Sequence, residues 1–265
     1  MRKLLIRETQ EMLLRVMVDF DCFCREEDLN YYMIGGTMLG AYRHKGFIPW
    51  DDDIDVGMVR DEYEKFIAAS ERFGGEYEIK NYRVSDDCDY VITRIYIPGT
   101  RIENPSLKYT NLDQRLYFDI FPLDYAPNDE QQQERQAHLL YKMKMQKERM
   151  DFKVYNGNVV KNSVKLVLSL VLSLRRKHIL TTLDNEMKKF SNTNFLCSMG
   201  SQYGYKRQLF HAEVYGRPKE YEFEGHKFYG PEKPEVYLHQ LYGENYMQLP
   251  SAEKRRPAMN IYADM

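Results

Sequence analysis

The sequence predicts an α/β (α+β) fold: a mixed sheet flanked by helices, with a helical insertion and an irregular C-terminal segment. Three observations predict it. From Tyr31 to Asp124, short runs of alternating β-branched and aromatic residues are interleaved with stretches of helical periodicity. From Glu130 to about Phe190 the pattern is helical and charge-rich, without a strong strand signal. The remainder, 206–265, is rich in Tyr, Gly and Pro. The expected divisions are a core over 1–128, a helical addition over 129–205, and a Tyr-rich segment over 206–265 that packs on the core.

Taken in order, Leu5, Leu13, Val16, Met17, Phe20 and Cys24 recur at helical spacing and predict an amphipathic helix over about the first 27 residues, with Cys22 and Cys24 buried near its end. Tyr31 to Ile34 reads as a strand stopped by Gly35 and Gly36, after which Thr37 can cap a helix. Beyond Pro49 and Trp50, residues Asp53 to Val56 alternate as a strand does, and Asp61 to Phe73 forms a helix closed by Gly74 and Gly75. Strands are expected around Ile79, over Val91 to Ile97, around Ile102, and over Leu116 to Asp124 with an end at Pro122. Asn156 to Asn158 should break the helical section, and Glu235 to Tyr242 should be a short helix.

Composition removes several function classes. With 38 Lys plus Arg against 40 Asp plus Glu, the net charge of -2 offers no field for nucleic acid. The 43% hydrophobic content excludes disorder as the main state. Four cysteines at irregular spacing, Cys22, Cys24, Cys88 and Cys197, fit neither a disulfide scaffold nor a zinc ribbon. They read as free thiols in a reducing compartment, and charges between the apolar residues of the N-terminus leave no signal-peptide core, so a cytoplasmic protein is expected.

The stretch from Gly35 to Asp55, GGTMLGAYRHKGFIPWDDDID, carries the chemistry. Paired glycines at a strand end let a ligand approach the backbone, and the next helix start offers N–H groups to a phosphate. Asp53 and Asp55, two apart on an expected strand, would share a face and one or two divalent cations. Asp119, between Phe118 and Ile120, is either a satisfied buried acid or a third ligand from a neighbouring strand. Arg43, His44, Lys45 and Arg94 could each neutralise a leaving phosphate or be solvated surface cations. Such an arrangement suits metal-assisted transfer of a phosphoryl-type group. A calcium loop is the competing metal reading, since Asp51, Asp53, Asp55 and Glu62 have its spacing, but Val56 stands where that loop needs glycine. No zinc spacing, P-loop, GxGxxG or GxSxG occurs.

The segments GGTMLGAYRHKGFIPWDDDIDVGM and FDIFPLD, with a weaker match in YGENYMQLP (Tyr242 to Pro250), resemble the LicD family of phosphocholine-type transferases, to which the fukutin-like proteins are related. The resemblance implies a nucleotidyltransferase-like mixed sheet, with Mg²⁺ (one ion or two, Mn²⁺ as a substitute) on Asp53, Asp55 and Asp119. It implies that Gly35, Gly36 and Thr37 hold the pyrophosphate, with Arg43, Lys45 and Arg94 as further substrate contacts. The implied reaction passes phosphocholine from CDP-choline to a sugar hydroxyl of a teichoic-acid or lipopolysaccharide-type glycan precursor and releases CMP, with Asp55 or Asp119 taking the proton. Alternatives are another CDP-alcohol donor (ribitol or glycerol), a true nucleotidyltransferase, or a non-catalytic metal-dependent binding protein.

The apolar run from Ser163 to Leu174 would rise roughly 18 Å as a helix, short of the about 30 Å of a bilayer core. It reads first as a buried core helix with a basic end, Arg175 to His178. Peripheral contact of 164–178 with the inner face of the plasma membrane is the alternative, and suits an acceptor carried on a lipid.

Overall fold

The computed structural model describes residues 1–73, 76–85, 88–103, 113–149 and 159–264. Its elements run β1 (Arg2–Lys3), α1 (Ile6–Glu26), β2 (Tyr32–Met33), α2 (Gly35–His44), β3 (Asp55–Val59), α3 (Arg60–Ala69), β4 (Glu78–Lys80), β5 (Thr93–Tyr96), β6 (Thr100–Glu103), β7 (Tyr117–Ala126), α4 (Glu130–Glu148), α5 (Val159–Ser173) and α6 (Arg176–Met187). They continue with β8 (Phe195–Cys197), α7 (Tyr205–Gln208), β9 (Leu209–His211), α8 (Ala212–Tyr215), β10 (Lys219–Phe223), β11 (His226–Gly230), α9 (Pro234–Tyr242) and β12 (Asn260–Ala263). The chain is thus the mixed α/β fold its patterning predicts.

The central sheet runs β2-β3-β7-β5-β4, with β8 and β9 extending it from β7. Strands β3 and β7 are parallel, while β2, β5 and β8 pair antiparallel to their neighbours. Alternation along β7 decides the rest. Phe118 points to α1 and α3, where Phe20 lies 5.2 Å from it and 5.5 Å from Phe66. Asp119 therefore projects to the opposite face. In α1 the stripe Leu13, Val16, Met17, Phe20 and Cys24 is wholly buried, and the Glu8 carboxylate accepts the Leu5 N–H at 2.7 Å to close the helix start. Truncating Phe20 to alanine would cost about 3–5 kcal/mol.

A second small core joins Leu140 of α4 and Leu180, Leu183 and Met187 of α6 to Ala126 and Cys197. An ion-pair network ties it to the sheet: Arg60 grips Asp124 through Nε at 2.6 Å and a second nitrogen at 2.9 Å, and reaches Asp184 of α6 at 3.1 Å.

Several expectations are corrected. Leu5 precedes the first helix and is exposed, and of the two cysteines near its end only Cys24 is buried while Cys22 faces solvent; all four cysteines are free thiols. Strand β3 begins at Asp55, so Asp53 lies in the segment leading into it. Helix α3 ends at Ala69, and Gly74, Gly75 and Asn156 to Asn158 lie outside the described residues.

Pro122 does not end its strand. Asp119 donates its N–H to Ile54 on the β3 side, so odd positions of β7 donate that way and Pro122 faces the other edge. There the β5 pairing stops at Ile120 and the β8 pairing starts at Asp124, so the missing N–H breaks no ladder bond. The C-terminal segment is not irregular. Strands β10 and β11 form a hairpin closed by Glu224 and Gly225, both at positive φ (51° and 78°), and β12 pairs with β1 and β6.

The run from Val164 to Leu174 is not a core helix. In α5, Val164, Val167, Leu170 and Val171 are more than half exposed, as is Leu174 just after it. Among the described residues no helix is long and apolar enough to cross a membrane.

Candidate active site

The site is built where β2 turns into α2. Gly35 adopts φ +56°, a conformation that disfavours side chains, and its N–H is donated to the Tyr237 hydroxyl at 2.9 Å. A Cβ at Gly35 would stand 3.2 Å from Oδ2 of Asp55, and one at Gly36 would stand 2.7 Å from Oδ2 of Asp51. The absent side chains of both glycines are thus what admits two carboxylates to the start of α2, whose positive end favours them. Thr37 does not cap this helix; it lies inside α2, and its hydroxyl accepts the Asp55 N–H at 2.9 Å, pinning the first residue of β3.

Across the sheet, one row of side chains follows from register. Asp55 of β3 is paired with Asp119 of β7, and Asp119 with Arg94 of β5. Strands at ~4.8 Å spacing bring the two carboxylates side by side on one face. Arg94 grips Asp119 through Nε at 2.8 Å and a second nitrogen at 3.3 Å, and its guanidinium is stacked between the rings of Tyr90 and Tyr117 at 3.8 and 3.9 Å.

The electrostatics are those of crowded acids, Asp119 buried and Asp51, Asp53 and Asp55 half-buried. Burial, then the neighbouring Asp53 and Asp52 charges, push the Asp51 carboxyl up to about 8. Burial, then Asp52 and Asp119, raise Asp53 to about 6. Asp55 lies well above the usual carboxylate range because of desolvation and then the Asp53 and Asp119 charges. Burial raises Asp119 as well, with Arg94 opposing.

Of the residues singled out from sequence, Gly35, Gly36, Thr37, Asp53, Asp55, Asp119 and Arg94 come together here. Arg43 holds the C-terminal segment instead, donating to the Tyr246 and Gln248 carbonyls at 2.7 and 3.1 Å. Lys45 is exposed at the far end of α2, ten residues or about 15 Å along the helix from Gly35. Sequence reasoning missed Asp51 as a member of the site, having met it only as a calcium-loop position. It also missed Tyr237, and Tyr203 with Tyr242, whose hydroxyls pair beside Asp53 and Asp55. The DDDID run signalled Asp51; nothing local marks three tyrosines among 22.

Among the described residues no three His, Cys, Asp or Glu side chains stand in a geometry that could hold a metal ion, and Asp119 is turned to Arg94. The chemistry of the donor set nevertheless fits a hard divalent cation: oxygen only, partly buried, and raised by desolvation and then by mutual repulsion that a cation would relieve.

Residues 28–156 match the LicD/FKTN/FKRP nucleotidyltransferase domain. The lipopolysaccharide cholinephosphotransferase LicD of Haemophilus influenzae is 27% identical over 269 residues, covering 97% of both chains. Uncharacterised proteins of Rickettsia typhi and Rickettsia prowazekii are 27% and 29% identical over 120 and 137 residues; each match covers 44% of this chain, and 36% and 50% of theirs. The family match thus takes in β2, α2, β3, β5 and β7, the elements that carry the site.

Proposed function

We propose that this protein transfers a phospho-alcohol, phosphocholine first among them, from its cytidine diphosphate ester to a sugar hydroxyl of a surface glycan precursor. The hydroxyl oxygen forms a bond to the phosphorus that bears the alcohol, the bond from that phosphorus to the bridging oxygen breaks, and CMP leaves with that oxygen. The observation that carries this reading is the register pairing of Asp55 with Asp119 beside Asp53 at the glycine-opened start of α2.

Gly36 and Thr37 supply first-turn N–H groups for a phosphate, since the Gly35 amide is engaged by Tyr237 and the Met38 amide by Ile34. The acceptor proton goes to the Asp55–Asp119 pair, which titrates as one unit. Arg94 opposes the upward push of burial on Asp119 and fixes its orientation. Mg²⁺ or Mn²⁺ held by Asp53, Asp55 and Asp119 would supply charge neutralisation of the pyrophosphate. The kinship with a lipopolysaccharide cholinephosphotransferase supports choline as the alcohol.

Thermal stabilisation by CDP-choline, CDP-ribitol, CDP-glycerol, CMP and ATP, each with and without Mg²⁺, tests the donor. The expected result is the largest rise in melting temperature with CDP-choline and Mg²⁺, lost in Asp53→Asn. A larger rise with another CDP-alcohol changes the donor, and no rise with any cytidine nucleotide contradicts the reading.

A further inference from the structure

Helix α5 leaves its apolar side in solvent. Val164, Val167, Leu170 or Val171, and Leu174 recur at steps of three and four residues, which places them along one stripe, and each is more than half exposed. The opposite side is the attached one: Ser169 is buried, while Leu168 and Leu172 line a groove of about 530 Å³ with Tyr141 and Met145 of α4. A helix this apolar belongs in a core or against lipid, and among the described residues nothing covers its outer stripe.

We propose that α5 lies on an anionic phospholipid surface, with this stripe in the acyl boundary and its basic end at the headgroups. Charge selects the occupant. Residues 163–183 contain Lys165, Arg175, Arg176 and Lys177 and no Asp or Glu, in a chain whose net charge is -2. Arg176 is paired with Asp89, while Arg175 and Lys177 are exposed next to Leu174. A second copy of the same helix would bring like charges to the contact and no acid from 163–183 to meet them. At 15 residues the helix spans about 22 Å, so it lies along the bilayer and does not cross it. The transferase reading is not needed for this surface.

Co-sedimentation of the full chain with vesicles tests it, using phosphatidylcholine mixed with phosphatidylglycerol against phosphatidylcholine alone. The protein is expected to sediment with the anionic vesicles, less at high salt, and Val167→Glu with Val171→Glu should abolish this. Arg175→Gln with Lys177→Gln should weaken it about thirtyfold. All four side chains face solvent, so unchanged melting curves are expected of both variants. The proposal is overturned by absence of sedimentation, by equal sedimentation of the Val167→Glu, Val171→Glu variant, or by a dimer that this variant dissolves in a protein that ignores vesicles.

Discussion

Asp55 and Asp119 stand directly opposite each other on adjacent parallel strands, and Asp119 is in turn opposite Arg94, whose guanidinium grips it. Single replacements Asp55→Asn and Asp119→Asn should each lower turnover by about a thousandfold, the order seen when one preorganised electrostatic group is lost. Retention of the native circular dichroism spectrum would separate lost chemistry from lost fold.

The same crowding makes metal-free stability depend on pH. Asp51, at about 8, and Asp53, at about 6, have folded-state values above that of an unfolded aspartate, so the folded chain holds more protons between the two. Their contribution is fully present below about pH 4 and is lost as pH rises through those values. Asp51→Asn should match the parent near pH 4 and melt increasingly higher than it up to pH 8. A constant difference across that range would contradict the assignment.

Arg94→Met removes the cation held between Tyr90 and Tyr117 and leaves Asp119 buried without its partner. A loss of about 3–5 kcal/mol in urea unfolding is expected. Arg94→Lys keeps charge but not the two-pronged grip or the stacking, and should fall between.

Gly35→Ala meets both a positive φ and the Asp55 carboxylate, whereas Gly225 in the β10–β11 turn has positive φ with open space around it. Each substitution should cost about 1–2 kcal/mol from backbone strain. Only Gly35→Ala should also lose turnover, read as kcat in a CMP-release assay.

Much of this site was legible because it is written locally. An acid inside an apolar strand and a Gly-Gly at a strand end are visible in the chain, and so Asp55, Asp119 and Gly35 could be named. The register that brings β3 beside β7 was not, because strands some sixty residues apart pair through packing of Phe118 on Phe20 and not through any local signal. Tyr237 was invisible for the same reason. Pro122 misled because its effect depends on which edge its nitrogen faces, and the C-terminal hairpin was missed because Glu224-Gly225 lacks the Asn-Gly or Asp-Gly signature. Val164 to Leu174 misled in the opposite sense, since apolarity alone does not say whether protein or another surface covers a helix.

The most direct test of the central claim is the rate of CMP release from CDP-choline with Mg²⁺ and a sugar acceptor, measured for the parent protein and for Asp53→Asn, Asp55→Asn and Asp119→Asn. The account predicts acceptor-dependent release that requires the divalent ion and collapses in all three variants. Release that persists in Asp55→Asn and Asp119→Asn at the parent rate would contradict it.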